Sequence, residues 1–579
     1  MLKIKTMSDL KQVQAKGRKA LYPPEIKIVV GMATCGMSVG AGVVYEAISD
    51  LAKKSELDIV VSKVGCKGWC SKEPLVDVLH PGVGRLSYGE MTPEKALKLM
   101  KALEENNIEN ELILCRTKEE DCFVEDKKVR YGETSRELEG IPFCGETGFF
   151  RKQQKIAMRN SGFIDPESIE EYIAKGGYFS LFKAITKMSS EEIIEEVTKS
   201  GLRGRGGAGF PTGQKWELTR KSEGDFKVVI CNADEGNPGT YMDRTLLEGD
   251  PHSILEGMAI GAFAIGANEG YIYIRREYPL AIKRLAKAIK QAEEYGCLGQ
   301  KILDSGLNFT IRFNEGAGAF VCGEETALIA SIEGKAGEPR LRPPFPSQSG
   351  LWGKPTSVNN VETWSNIPAI VAQGGDWFAR IGVGESRGTK VFSLVGKTIN
   401  TGLVEVPMGT TLREMIFDIG GGIRGGKKLK AVQIGGPAGG CVPEEHLDIH
   451  IDYEELKDLG VSMGSGGMIV MDEDTCMVDI ARHFAHFLEY ESCGRCTSCR
   501  EGLKRMEQVL TGIIEGRGKE GDIKILEDLS SMVKDVSLCG LGQTAPNTVL
   551  TTIRFFRDEY GAHIREKRCP AGVCKNLGH

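Results

Sequence analysis

The sequence lacks any apolar run long enough to cross a membrane. Its most apolar stretch, residues 254–267, falls short of the roughly 20 residues that a span requires and contains Glu256. The opening segment, MLKIKTMSDLKQVQAKGRKA, is charged and has no apolar core of the kind that marks a secretory signal. A cytoplasmic protein with no membrane span is expected. An excess of charge is missing too. Lys and Arg number 74 against 80 Asp and Glu, a net charge of -6 over 579 residues, too mild for bulk attraction to nucleic acid or an anionic surface. No internal repeat and no low-complexity stretch is found, so the chain is not a repeat array.

Glycine and cysteine are what the sequence has in quantity. The 73 glycines cluster at 201–213, 316–323, 419–440 and 464–467, which suggests close backbone approaches to ligands rather than linkers. In a reducing compartment 17 cysteines point to metal or cluster ligation rather than to a disulfide framework. The length implies roughly three to five domains. Residues 1–20 read as an amphipathic helix. A strand at 27–30, a Gly-rich turn, a helix at 43–54 and strands at 57–64 and 74–79 predict a small α/β domain over 1–112. A charged connector with weak periodicity follows over 113–165. Strands at 227–231 and 271–274, alternating with helices at about 252–268 and 280–294, predict a wound α/β domain over 166–387 with a mostly parallel sheet. Short strands at 389–395 and 403–406 open a β-rich module over 388–474. Helical patterns at 477–489, 501–510, 523–533 and 548–560 fill 475–579.

Four constellations carry chemistry. Cys493, Cys496 and Cys499 at two-residue spacing, with Cys539 forty residues on, can reach the corners of a cubane [4Fe-4S] cluster. Zinc is the alternative, although zinc sites more often use two CxxC pairs. The loop GLRGRGGAGFPTG at 201–213, followed by Lys215, lets backbone N–H groups close on a phosphate; it is read neither as a Rossmann fingerprint nor as a P-loop. NADEGNPG at 232–239 stands at the C-terminal end of a predicted strand, where wound sheets bind ligands; the bland reading is an Asx turn. EGAGAFVCGEET at 315–326 is another Gly-rich turn, leading into a helix headed by two carboxylates that could equally be dipole partners.

Together with PPFP, SGLWGKPTSVNNVET (349–363) and SLCGLG, these motifs resemble the flavin subunit of respiratory complex I. They match still more closely the corresponding subunit of NAD-linked soluble [FeFe]-hydrogenases and formate dehydrogenases, over about residues 165–575. The resemblance implies a thioredoxin-like N-terminal domain, a wound α/β FMN-binding domain, a ubiquitin-like β-rich module and a C-terminal helical bundle carrying [4Fe-4S]. It implies that Gly204, Arg205, Gly206, Gly207, Lys215, Asn232 and Asp234 hold FMN, with Asn359 and Asn360 near its phosphate. It places Glu235 beside the flavin–nicotinamide contact, with Phe320, Gly323, Glu324 and Glu325 close by, and Phe210 and Phe345 around the NADH adenine. Glu235, Glu324 and Glu325 are the implied catalytic candidates, in a reaction that needs alignment more than an acid or a base. The sequence departs from the family pattern at Leu218, Asn237 and Arg342, all where NADH is expected.

The first domain resembles a thioredoxin-like [2Fe-2S] ferredoxin, which places two cysteines on its first turn. Here that turn carries Cys35 alone, beside Cys66 and Cys70. Either a non-cysteine group completes a [2Fe-2S] site or the domain is a structural relic. Cys115, Cys122 and Cys144 in the connector receive no role. Cys476, His563, Cys569 and Cys574 make a closed zinc set, against a free tail with idle thiols. Cys231, Cys297, Cys322 and Cys441 read as small core hydrophobes. His483 and His486 share a helix face and read as packing.

The expected function is an NADH dehydrogenase subunit of a soluble multisubunit redox enzyme. It would exchange hydride between NAD(H) and FMN and relay single electrons to [4Fe-4S], in an NADH-dependent hydrogenase. The alternatives are the equivalent subunit of a formate dehydrogenase or another NADH:acceptor complex, and a relay subunit whose flavin site has decayed. Expected partners are a small [2Fe-2S] thioredoxin-like subunit and a catalytic iron–sulfur subunit. Bifurcating relatives continue into two further ferredoxin motifs, whereas this sequence ends at His579, so a non-bifurcating or differently wired enzyme is expected.

Overall fold

The computed structural model describes residues 3–122, 127–131, 138–224 and 226–578; the side chain of Cys122, and His579, lie outside the described residues. Three large sheets are followed by a helical C-terminal region, the mixed α/β class that the sequence predicts. Among the described residues no helix is long and apolar enough to cross a membrane.

The first sheet runs in the order Ile59–Val64, Ile26–Gly31, Val76–His80, Gly84–Tyr88, Ile113–Thr117. Only the first pair is parallel. Its last strand falls in the segment read from sequence as connector. That segment is charged because one side faces solvent, yet its backbone completes the sheet. The connector also holds a disulfide, Cys115–Cys144, with Cα atoms 4.9 Å apart. This gives a role to two thiols that sequence left without one: they tie residues 29 apart and fasten the turn at Cys144 to the edge strand that carries Cys115. The helix predicted at 1–20 is Met7–Leu21. It packs not on this sheet but on Ile169–Ala174, through Ile4, Leu10, Val13 and Leu21 and a Lys16–Glu170 ion pair at 2.7 Å.

The second sheet positions the site. Its order is Thr310–Gly316, Glu269–Arg275, Val228–Ala233, Thr356–Asn360, all parallel. Val228–Ala233 opens with the apolar run VVIC, because helices cover both faces of a parallel sheet. Pro251–Ile265 lies across one face and is buried almost throughout. Glu256, which interrupts its apolar run, is fully buried too. Its carboxylate accepts hydrogen bonds from the Tyr172 hydroxyl at 2.5 Å, the Tyr178 amide at 2.8 Å and the Leu181 amide at 2.9 Å. The chain lays its first three strands in one direction. It then returns to put Thr356–Asn360 on the other side of Val228–Ala233. The strand order thus reverses between these two, which is where open α/β sheets leave a crevice at their carboxyl ends.

The third sheet, in the order Gly402–Pro407, Thr389–Gly396, Gly467–Asp472, Leu429–Ile434, Gly440–Pro443, carries its own core of Phe392, Val404, Val432, Met468 and neighbours. The helices Met477–Tyr490, Thr497–Ile514, Asp522–Val536 and Asn547–Phe555 share one core with the second sheet: Val228, Ile230 and Tyr273 pack with Leu488, Leu503 and Met506.

Glu405 joins the module to the connector. Fully buried, its carboxylate accepts from the amides of Ile156 at 2.9 Å, Ala157 at 2.8 Å and Met158 at 2.8 Å, and from the Thr389 hydroxyl at 2.6 Å. Glu405→Ala leaves buried donors without an acceptor and is expected to cost about 2–4 kcal/mol. A thermal melt should show the loss as a lower midpoint; an unchanged midpoint would contradict the assignment.

Candidate active site

The crevice is lined from both sides of the strand reversal. Asn232 and Asp234 end one strand, Asn359 and Asn360 the other, in register as Asn359↔Cys231 and Asn360↔Asn232. Asn232 donates its amide to the Gly323 carbonyl at 2.8 Å and accepts from the Asp234 amide at 3.0 Å. The Asx turn and the ligand-facing strand end are therefore one feature. The Asn360 side chain caps Val361–Gln373 through the Glu362 amide at 2.9 Å and donates to Asp243 at 2.6 Å. Asn359 is buried and accepts from the Trp216 indole at 3.0 Å.

The Gly-rich loop folds over Asn360. A Cβ on Gly206 would stand 3.1 Å from the Asn360 Cβ, so only glycine allows this approach without displacing it. The loop closes through a Gly204 amide to Phe210 carbonyl bond at 2.9 Å. Residues 204–209 do contain G-x-G-x-x-G spacing, but the loop follows the helix Ser190–Lys199 rather than a strand, so it is not a Rossmann turn.

The side chain of Arg205 has a different role from the phosphate contact expected of it. It is 1% exposed and bonds three carbonyls: Thr389 at 3.0 Å, Arg203 at 3.1 Å and Arg387 at 2.5 Å. Spacing alone cannot separate a guanidinium that meets a ligand from one that braces the loop from behind. Lys215 donates to the Val358 carbonyl at 2.9 Å, and its Nζ lies 4.0 Å from Glu325 and 5.9 Å from the Phe210 ring centre. Burial holds its ammonium below the usual lysine range. Arg342, one of the departures from the family pattern, pairs with Glu325 at 3.0 Å, so this corner still presents cations around one carboxylate. Phe210 and Phe345 remain 40% and 50% exposed.

The catalytic candidates serve first as scaffolding. Glu235 is buried and accepts from the amides of Met242 at 2.8 Å and Arg244 at 3.2 Å, at the head of Met242–Gly249; burial raises its carboxyl. Glu324 caps Glu325–Ile332 through Thr326 and Ala327. Asp234 is the exception. It is 6% exposed, and neither carboxylate oxygen has a hydrogen-bond partner among the described residues. Burial pushes its carboxyl up to about 7, with Arg275 pulling the other way. A buried acceptor pair without donors fits a hydroxyl-rich ligand such as the ribityl chain of FMN.

Four residues here were not singled out from sequence. Arg275 donates to the carbonyls of Glu235 at 3.1 Å and Gly318 at 2.5 Å, joining two of the ligand loops. Tyr278 donates to the Glu235 carbonyl at 2.9 Å. Glu491 accepts from the Phe320 amide at 2.8 Å, and the Phe320 and Phe487 rings lie 5.8 Å apart. Arg275 ends the strand next to NADEG and Glu491 stands two residues before Cys493, so strand-end position and motif proximity were the available signals.

Through Glu491 the crevice adjoins the cysteine quartet. Cys496 and Cys539 sit at the N-caps of Thr497–Ile514 and Gly540–Thr544, and Cys499 in the first turn of the former, where helix dipoles favour thiolates. Burial first, then the charges of Cys539, Cys496 and Cys493, push the Cys499 thiol up to about 11, so the four feel one another. Two tighter donor groups occur among the described residues, each with its donor atoms within 4.8 Å of one another: Cys476, His563, Cys569 and Cys574, and Cys35, Cys66 and Cys70.

Two family models match this chain. The Nuo51 FMN-binding domain covers residues 197–369, and the NADH-ubiquinone oxidoreductase-F iron-sulfur binding region covers 479–563. The NADP-reducing hydrogenase subunit HndC of Solidesulfovibrio fructosivorans is 58% identical over 427 residues, 74% of this chain and 87% of the relative. The chain belongs to the Nuo51 family of NADH-quinone oxidoreductase flavin subunits. The NADH-quinone oxidoreductase member of this family in Escherichia coli (strain K12) is 43% identical over 403 residues, 69% of this chain and 91% of its own. A solved structure of NAD+-reducing [NiFe]-hydrogenase in the H2-reduced state superposes with a TM-score of 0.63 at 27% identity, covering 96% of this chain and 87% of that one. The chain is therefore an oxidoreductase component, a flavoprotein with an FMN-binding and a [4Fe-4S]-binding domain, as the motifs led one to expect.

The raised Asp234 carboxyl predicts a pH-dependent flavin affinity. In the empty crevice its protonated form predominates only below about pH 7. A ligand that donates hydroxyls to the carboxylate must displace that proton, so binding weakens as pH falls below about 7. The dissociation constant for FMN should rise roughly tenfold for one pH unit below that value. Asp234→Asn should flatten the profile. Titration of the apo-protein with FMN by fluorescence quenching checks it, and a pH-independent wild type would refute the role given to Asp234.

Proposed function

We propose that this chain is the NADH-oxidising subunit of a multisubunit hydrogenase. The observation that supports it best is the contact between crevice and cluster motif: the Phe320 amide, in the ligand loop, is held by Glu491, two residues before Cys493. The chemistry that bound FMN would supply is exchange between a two-electron hydride donor, NADH, and a one-electron acceptor, the [4Fe-4S] cluster. The chain's own residues bind and align. Gly204, Gly206 and Gly207 would offer backbone around the phosphate with Asn359 and Asn360 near it, Lys215 would add charge, and Asn232 and Asp234 would meet the ribityl chain. Phe210 and Phe345 flank the adenine. Glu235 and Glu324 act as positioning residues, since both hold helix ends that carry ligand loops. Cys493, Cys496, Cys499 and Cys539 ligate [4Fe-4S].

The relatives support the wider setting. One is a subunit of an NADP-reducing hydrogenase, and the superposing structure is an NAD+-reducing hydrogenase. We assign to this chain a small [2Fe-2S] thioredoxin-like subunit as its neighbour and a catalytic iron–sulfur subunit, of hydrogenase or formate dehydrogenase type, beyond it.

We also assign zinc to Cys476, His563, Cys569 and Cys574. All four are buried; His563 Nε2 lies 3.4 Å from the Cys476 Sγ and 3.5 Å from the Cys574 Sγ. The other ring nitrogen, Nδ1, sits 2.7 Å from the Glu559 carbonyl, which fixes the tautomer that leaves Nε2 free to ligate. Such an ion would staple the tail to the helix Met477–Tyr490, which Cys476 caps.

Purification of the native complex, with its subunits identified and NADH-linked viologen, H2 and formate turnover assayed, tests the reading. FMN and NADH–viologen activity are expected, and H2 turnover that depends on the partner chain. A chain without flavin or without NADH–viologen activity would sink it. His563→Ala should remove about one zinc per chain while leaving flavin in place; unchanged zinc would refute the tail site.

A further inference from the structure

The Gly-rich loop is gripped from outside the domain that carries it. Both of its stems, at 203–204 and 209–210, touch the head of the helix Tyr453–Asp458 in the β-rich module. That helix lies outside both segments that the family models match. The Tyr453 hydroxyl donates to the Gly204 carbonyl at 2.9 Å. Its ring lies against the other stem: a Cβ on Gly209, whose φ is +62°, would stand 2.8 Å from Tyr453 Cε1, so only glycine fits there. Arg203 completes the grip. Its Nε donates to the Gly209 carbonyl at 2.7 Å and its Nη1 to Glu454 at 2.6 Å, and its guanidinium carbon sits 4.2 Å from the centre of the Tyr453 ring.

Tyr453 and Glu454 are themselves fixed by the module. Asp452 caps their helix through the amides of Glu454 at 3.0 Å and Glu455 at 2.7 Å. The Ser386 hydroxyl donates to Glu454 at 3.0 Å and accepts from the Tyr453 amide at 3.3 Å. The Tyr453 ring packs on the module's core.

The grip fastens the stems and leaves the crown of the loop unused. The peptide between Gly204 and Arg205 is held on both sides, its carbonyl by Tyr453 and its amide by the Thr363 hydroxyl at 2.9 Å. Among the described residues the next four amides, of Gly206, Gly207, Ala208 and Gly209, donate to nothing in the chain. Successive amides ordered at both ends, with their protons unspent, make a preorganised cradle for an anion.

We propose, on the reading that this loop holds the phosphate of FMN, that Tyr453 and Arg203 are positioning residues for that phosphate. Through them the β-rich module sets the preference for FMN over a flavin without the phosphate. Neither side chain needs to touch the ligand. Both order the loop before the anion arrives; without them the cost of ordering falls on the binding step. The ribityl contacts assigned to Asn232 and Asp234 stand at the end of the strand Val228–Ala233 and do not share the brace. Long-range attraction by the Arg203 charge is a separate effect, and Tyr453→Phe, which removes no charge, excludes it.

The test is titration of the full-length apo-protein with FMN and, separately, with riboflavin, by fluorescence quenching. The wild type should bind FMN at least about tenfold more tightly than riboflavin. Tyr453→Phe keeps the ring against Gly209 and removes one hydrogen bond. It should weaken FMN about threefold to tenfold and leave riboflavin unchanged to about twofold. Arg203→Met keeps most of the side-chain bulk and removes both of the Arg203 bonds, and should narrow the preference further. Variants that weaken FMN and riboflavin alike, or that bind both as the wild type does, would overturn the proposal while leaving the reading of the loop intact. A wild type that binds riboflavin as tightly as FMN would take the phosphate out of the loop, and the brace would fall with it.

Discussion

The parallel pairing of Val228–Ala233 with Thr356–Asn360 is the constraint on which the rest depends. It reverses the strand order of the sheet and opens the crevice at its carboxyl end. It also sets Asn360 beside Asn232, giving the Gly-rich loop a surface to close on. Slipping the pairing by one residue would turn every side chain to the opposite face and separate Asn359 from the Trp216 indole. The buried Trp216–Trp364 pair, with ring centres 5.5 Å apart behind the crevice, holds that register from the core side.

The same sheet makes the chain an electron conduit rather than a binding domain with an appendage. Its opposite face shares a core with the C-terminal helices, so the elements that carry Cys493 and its partners pack directly on the sheet that carries the Gly-rich loops. Glu491 and the Phe320–Phe487 contact join the two across the surface. The charges of Glu324 and Cys493 reach Cys539, although burial is the larger influence on that thiol. Positioning is what such a reaction asks of the protein, and shared packing supplies it.

Much of this was legible in sequence, for identifiable reasons. The periodic helices and the VVIC strand announce themselves because burial dictates their pattern. The cysteine quartet and the glycine loop stand out because their chemistry needs those residues at that spacing. What sequence hides is the direction of a side chain. Arg205 stands in a ligand motif yet binds carbonyls, and Glu235 and Glu324 look catalytic yet hold helix ends. Cys115 and Cys144 received no role because nothing local shows that a strand and a distant turn meet.

The central claim is that one chain takes hydride from NADH and passes on single electrons. Anaerobic titration of the purified chain with NADH, followed by visible absorption and electron paramagnetic resonance on the same samples, measures it most directly. The account predicts that the flavin bleaches and a reduced [4Fe-4S] signal grows together, with the signal lost and the flavin retained in Cys496→Ser. Flavin that bleaches while the cluster stays oxidised, or a chain that binds no flavin, would contradict it.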